Sequence, residues 1–290
     1  MPKLIEKQKN FMNTVITIKV VQDKQNTVDI LDSIEKGFDE FDRIVKQYTR
    51  FDENSELSNL NRNSGNWTKI TPEFFELIEY MLNLANETEG CFDPTIIDFL
   101  ETYGYDKNYD FSKLDNPKLD EMVNNMAKTR ASFKDIELDK KKLKVKLVKA
   151  QRIDLGGVGK GYAIDCAYDQ LIKVNENFLI DAGGDIRAKG KNEKDEIWKV
   201  ALRNRNGEVI EDIGYIELND ESVASSGSWA RKVKQFHHLI NPKTGLPENK
   251  FTTVYVIAKK AIDSDAWGTA LFVGGEKYLK KHKDLRYFTV

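Results

Sequence analysis

The chain has 290 residues, with 45 Lys and Arg against 47 Asp and Glu and a formal net charge of −2. That length suffices for one large or two moderate domains, and the 40% hydrophobic fraction supplies a packed core. The balance of signs excludes the strong basic field of a nucleic-acid binder, and no apolar run approaches the roughly 18 residues of a membrane span. Two cysteines, Cys91 and Cys166, build no disulfide scaffold and suit a reducing compartment. Residues 1–10 lack the apolar stretch of a signal peptide, which points to the cytoplasm. The mature part of an exported or lipid-anchored protein, read without its leader, would look the same.

Residues 14–21 alternate like a strand. Leu31, Ile34, Phe38, Phe41 and Val45 then recur at three- and four-residue steps, the apolar stripe of an amphipathic helix. A second helix runs from Pro72 to about Glu89, with Thr71 as its cap, Pro72 at the first position and Gly90 beyond its end. Residues 132–138 and 143–149 read as a hairpin turning at Asp139-Lys140. Its basic run alternates Leu143, Val145 and Leu147 with lysines, as a strand with one wet face does. A helix over 161–174 should bury Cys166. Strands follow near 177–181, 196–203, 213–218 and 253–258, and a last helix starts near Asp263. Strands mixed with helices, without regular βαβ alternation, predict an α+β fold rather than a doubly wound one. No composition shift marks a boundary, so residues 1–290 read as one catalytic unit, with room for two lobes.

Four segments carry chemistry. Asp154-Leu-Gly-Gly-Val-Gly-Lys160-Gly-Tyr162 precedes an apolar helix. Its glycines let backbone approach a ligand, the helix N-terminus favours an anion, and Lys160 adds a positive charge, so it suits a pyrophosphate as well as a plain tight turn. The spacing fits neither a P-loop nor a dinucleotide fingerprint. Asp181-Ala-Gly-Gly-Asp-Ile186 ends an apolar strand and reads as a turn or a close ligand approach. His237 and His238 are adjacent, so on an extended segment one can face a site as a general base while the other faces solvent. Asp265 and Thr269 lie four apart on one helical face, hard oxygen ligands that suit Mg2+ better than zinc; an ordinary acidic helix N-terminus is the alternative.

Taken together and in this order, the segments resemble the FAD:protein FMN transferase family, also called ApbE, from about Phe11 to Gly274. Met12-Asn-Thr14, Phe51-x-x-Asn-Ser55-Glu-Leu-Ser-x-Leu-Asn61 and Gly90-Cys-Phe-Asp93-Pro-Thr95 open the match. Ser225-Ser-Gly-Ser-Trp-Ala-Arg231, His238-Leu-Ile-Asn-Pro-Lys-Thr-Gly245 and Asp265-Ala-Trp-Gly-Thr269 close it, after the two glycine segments. The chain departs from the family's usual residues at Asn13, Gly159 and Asn241.

The resemblance implies mixed and antiparallel sheets with flanking helices, T-fold-like, and FAD between the lobes. It implies Mg2+-dependent transfer of FMN from FAD to a threonine, releasing AMP. The acceptor would be a redox-pump subunit or flavin-bearing reductase with a Ser/Asp-Gly-Ala/Ser-Thr motif. By the same resemblance Met12, Phe51, Cys91, Phe92, Asp93, Asp154, Lys160 and Leu239 fall at flavin-nucleotide positions. Asp265, Thr269 and the carbonyl of Gly157 would hold the metal, and His238 matches the histidine at the reaction centre, with Lys160 and Asp265 beside it. Phe51, Phe92 and Met12 are expected to wall the flavin ring. Two other readings use the same segments: an Mg2+-dependent FAD pyrophosphatase, and a non-catalytic flavin carrier, for which Asp265, Thr269 and His238 together would be superfluous.

Overall fold

A computed structural model describes residues 2–22, 26–204, 206–211, 213–229 and 231–290. It opens with a hairpin of β1 (Lys3–Phe11) and β2 (Thr14–Gln22), joined by a two-residue turn in which Met12 and Asn13 take φ of 51° and 58°. Two successive left-handed residues make the tight hairpin turn whose twist suits its strands. α1 (Thr27–Tyr48) follows; Asn26 caps it by accepting from the Val28 N–H, and Ile30, Ile34, Phe38, Phe41 and Ile44 form its buried stripe. Next come α2 (Glu56–Arg62), β3 (Trp67–Lys69) and α3 (Pro72–Glu87), the last capped by Thr71 and opened by Pro72 as expected.

α4 (Ile97–Thr102) and α5 (Leu119–Thr129) precede β4 (Glu137–Asp139) and β5 (Lys144–Lys146). Then run α6 (Gly159–Leu171), β6 (Phe178–Ala182), β7 (Asp185–Lys189), β8 (Trp198–Ala201), β9 (Tyr215–Leu218) and β10 (Glu221–Gly227). β11 (Thr253–Ala258), α7 (Ala261–Gly274) and β12 (Arg286–Thr289) complete the chain.

Seven strands form one antiparallel sheet in the order β1-β2-β6-β7-β10-β11-β12. The period of two along each strand decides what covers its faces. Phe178 and Ile180 of β6, with Val254 and Val256 of β11, join the main core with α1, α6 and α7. Leu179, Tyr255 and Ile257 point the other way and join Trp198, Val200, Ile216 and Leu218 of the β8–β9 hairpin. β11 is buried along its whole length because both faces are covered. A third cluster, around Phe99, Tyr103, Val123 and Ile240, packs α4 and α5 against the segment after His238.

The mixed α+β architecture with antiparallel sheets is the expected one. The hairpin near Asp139-Lys140 exists as β4 and β5, but β5 pairs β3 on its other side, and residues 133–135 form a single 3-10 turn instead of strand. α6 begins at Gly159 and α7 at Ala261, both two residues earlier than the periodicity suggested. Cys166 is half-buried rather than core, with its sulfur 3.9 Å from Arg43 Nη2; burial pushes its thiol up to about 12. Among the described residues no helix is long and apolar enough to cross a membrane.

Candidate active site

Two hairpin turns stand side by side at one end of the large sheet. The first is Met12-Asn13. The second is Gly183-Gly184 between β6 and β7, with φ of 68° and 96°. β2 pairs β6 with Ile16 opposite Ala182, which brings the turns together. A Cβ on Gly183 would lie 2.3 Å from Thr14 Oγ1, so only glycine fits there. The second turn delivers Asp185 into the interior, where it is buried and takes an ion pair from Lys160. Its other oxygen accepts from the Ser225 N–H at 3.2 Å. Lys160 is thereby held protonated: Asp185 and Asp265 outweigh the burial that would discharge it. Asp181, one strand-end back, accepts from the Gly184 N–H and is raised by burial and by its neighbour Asp185.

The N-termini of α6 and α7 converge on this point. A Cβ on Gly157 would lie 2.9 Å from Phe92 Cε2 and 3.4 Å from Thr269 Oγ1, so the glycine loop, the Phe92 ring and the α7 hydroxyl meet without a gap. Asp265 is buried one turn before Thr269 and accepts from the Gly161 N–H at 3.0 Å, its one hydrogen bond among the described residues. Burial first, and then Asp185, hold its carboxyl above the ordinary range despite Lys160. Two buried carboxylates thus face the Lys160 ammonium, with the Arg231 guanidinium also acting on Asp265. With a hydroxyl and a close-packed backbone turn beside them, that donor set fits a hard divalent cation. Among the described residues no group of three His, Cys, Asp or Glu side chains has metal-holding geometry, so any cation here depends on hydroxyl and carbonyl oxygens as well.

The residues expected at nucleotide positions divide by environment. Asp93 is buried; its carboxylate accepts from the Thr95 N–H and hydroxyl and pairs with Arg130 at 2.7 Å. Arg130 also donates to the Pro242 carbonyl at 3.3 Å, joining that loop to the turn after His238. Asp154 lies 3.5 Å from Arg50, whose guanidinium sits 4.5 Å from the Phe51 ring centroid and donates to the Tyr105 carbonyl. Phe51 itself is half-buried and belongs to none of the apolar clusters. Met12 is half-buried against the main core, whereas Cys91, Phe92 and Leu239 are buried within it. Cys91 packs where a Cβ on Gly274 would lie 2.9 Å from its sulfur.

The histidines differ from expectation in one respect. His237 does not face solvent: it is fully buried, edge-on to Phe272, and its Nδ1 accepts from the Leu239 N–H. The segment is not a regular strand, so strict alternation does not apply, and the core takes the His237 ring while His238 is only half-buried. His238 leans edge-on to Tyr105 at 6.3 Å between ring centroids, and its Nδ1 is buried without a partner. Burial, with the positive charges of Arg231 and Lys160 nearby, lowers it to about 3, so the ring is neutral near pH 7.

Asp185, Arg50, Arg130 and Arg231 are the site residues that motif reading did not assign. Asp185 and Arg231 lie inside segments that carry the family resemblance, without a role implied for them; Ala230, beside Arg231, lies outside the described residues. Arg50 and Arg130 carry no local signal, since only the fold brings them to Asp154 and Asp93. A cavity of about 390 Å³ lined by Glu176, Asn177 and Lys189 lies at the far end of β6 and β7 from the paired turns and shares none of these groups.

The chain is similar to known proteins along nearly its whole length. The sequence model of the ApbE family matches residues 12–288. The FAD:protein FMN transferase of Haemophilus influenzae is 30% identical over 294 residues, covering 94% of this chain and 82% of that protein. That of Vibrio cholerae is 26% identical over 82% of this chain and 73% of its own length. The crystal structure of the ApbE protein of Thermotoga maritima superposes with a TM-score of 0.87 at 29% identity, covering 99% of this chain and 94% of that one. With the family model spanning nearly the whole sequence and the fold shared end to end, the chain belongs to the ApbE family.

Proposed function

We propose that this chain transfers FMN from FAD to a threonine hydroxyl of an acceptor protein, with FAD seated between the α4–α5 region and the main sheet. The observation that carries the reading is the meeting of Lys160, Asp185 and Asp265 at two helix N-termini, with Gly157, Thr269 and Phe92 packed together there. Family membership supplies the reaction class, and the curated relatives' names specify FAD and FMN.

Asp265, Thr269 and the Gly157 carbonyl would hold Mg2+, which when bound neutralises the phosphate oxygens and orients them for in-line displacement. Lys160, kept protonated by Asp185, adds fixed positive potential where charge develops on the phosphates. The bond that forms joins the threonine oxygen to the phosphorus on the FMN side. The bond that breaks joins that phosphorus to the oxygen leaving with AMP. His238, neutral in the free site, takes the hydroxyl proton. Arg50 and Arg130 keep Asp154 and Asp93 in place for the nucleotide, and Phe51 and Met12 offer half-buried apolar surface to the flavin ring.

The test is incubation with FAD, Mg2+ and an acceptor bearing a Ser/Asp-Gly-Ala/Ser-Thr motif, followed by mass spectrometry. Added FMN mass on the threonine, with one AMP released per event, is the expected result. Free FMN and AMP with an unmodified acceptor would instead make the protein a pyrophosphatase, and intact FAD would make it a carrier.

A further inference from the structure

α6 and α7 have no N-terminal caps of their own. Val158 and Lys260, the residues preceding them, make no side-chain capping bond. Each helix is capped by a carboxylate of the other. Asp165, in the second turn of α6, accepts from the first two backbone N–H groups of α7, Ala261 at 2.8 Å and Ile262 at 3.0 Å. In return Asp265 of α7 accepts from the Gly161 N–H in the first turn of α6. The crossing is so close that a Cβ on Gly161 would lie 2.3 Å from the Ala261 carbonyl oxygen.

Asp165 is anchored from a third element. Arg187 of β7 pairs with it at 2.6 Å, and the guanidinium lies 3.5 Å from the Tyr168 ring centroid. Arg187 stands two residues after Asp185, which holds Lys160. One strand therefore fixes both the ammonium of the glycine loop and the carboxylate that docks α7.

We propose that Asp165 is a positioning residue for the divalent cation. By holding the first turn of α7 against α6, it sets where Asp265 and Thr269 stand relative to Gly157. The inference rests on the reading that the cation binds at Asp265 and Thr269. Its chemistry is that of an outer partner orienting a ligand: the carboxylate never touches the metal, yet loss of its two charge-assisted bonds lets the ligand-bearing helix move. A cap supplied from another helix serves here because a local one could fix only α7, not the spacing between α6 and α7.

The test uses the full-length protein loaded with FAD, with Mn2+ as the probe and its binding followed by electron paramagnetic resonance. Asp165→Asn keeps the shape and loses the charge, and Asp165→Ser substitutes a short capping side chain. Asp265→Asn serves as the reference, and all are assayed well below their melting temperatures. Both Asp165 variants should bind Mn2+ roughly 10- to 100-fold more weakly, the size typical of a lost ligand-orienting partner. Their FAD affinity without metal should be unchanged. A lowered melting temperature with wild-type Mn2+ affinity would make Asp165 a stability residue only and overturn the proposal. Wild-type Mn2+ affinity in Asp265→Asn as well would place the cation elsewhere, removing the functional reading and this inference with it.

Discussion

His238 lies in a site whose charges should change its basicity when substrate arrives. In the free protein the ring is lowered to about 3 by burial and by the nearby positive charges of Arg231 and Lys160. A base that weak is neutral at pH 7 but accepts a proton reluctantly. Bound FAD would bring two phosphate charges against Lys160 and Arg231. At an effective dielectric near 20, one charge about 7 Å away is worth about 2.4 kcal/mol, or between one and two decades in proton affinity. Two such charges are worth about 3.5 decades and an Mg2+ about 10 Å away takes back about 2.4, so His238 should rise by about one decade and become a better general base. The assay is the pH dependence of transfer. The acid limb of kcat, which reports the FAD complex, should fall at about pH 4, whereas that of kcat/KM for FAD should lie lower. His238→Gln should cut kcat by roughly two to four orders of magnitude and abolish the kcat limb. Coincident limbs in kcat and kcat/KM, or a kcat limb that survives in His238→Gln, would refute the argument.

Other perturbations separate site from scaffold. Asp265→Asn should abolish turnover yet raise the metal-free melting temperature. A carboxyl whose folded pKa is raised favours folding when protonated and loses that advantage as pH rises through the folded value, so near neutral pH the charged form is a burden. Mg2+ should then stabilise the wild type but not the variant, and a lower metal-free melting temperature in the variant would contradict the charge argument. Phe51→Ala should weaken FAD binding with little loss of free-protein stability, because the ring lies outside the core clusters and its contact with Arg50 is worth about 0.5–1 kcal/mol; a loss of about 3–5 kcal/mol by denaturant melt would mark it as core instead. His237→Ala should cost about 2–4 kcal/mol of stability by the same measurement, since it empties a buried site against Phe272 and strands the Leu239 N–H. Gly157→Ala should raise the Mg2+ concentration needed for half-maximal transfer, because the added methyl presses on Phe92 and Thr269.

Elements with a one-sided apolar period were readable in advance. α1 showed an apolar stripe, α3 a cap residue followed by Pro72, and β11 a short apolar run, and all three lie where expected. The strands that escaped notice lack such a stripe. β1 exposes most of its length at the sheet edge and buries only Ile5, so its sequence is mostly polar. β10 carries Ser222, Ser225, Ser226 and Gly227, small and polar because α7 packs closely upon it; a Cβ on Gly268 would lie 3.1 Å from Ser226 Oγ. Close approach selects small residues and erases the hydrophobic signal by which strands are recognised.

The site divides on the same physical line. Among the groups expected to act on a ligand, Lys160, Asp265 and Thr269 sit in glycine-rich or acidic segments with a local pattern, and His238 was named by its match to the family's histidine. Groups that hold them in place act across the fold: Asp185 on Lys160, Arg130 on Asp93, Arg50 on Asp154, Asp165 on the start of α7. Each is a charge-assisted contact between residues far apart in sequence, from 25 positions for Lys160–Asp185 to 104 for Arg50–Asp154. Sequence separation carries no mark of such a pair. What does mark it is the burial of a charge, since a carboxylate or guanidinium enters the interior at a cost that only a specific partner offsets. Asp265 is the exception that follows the same rule: its carboxylate accepts from a single amide and faces Lys160 and Arg231, yet burial and Asp185 still hold it above the ordinary range, a cost that a divalent cation would offset.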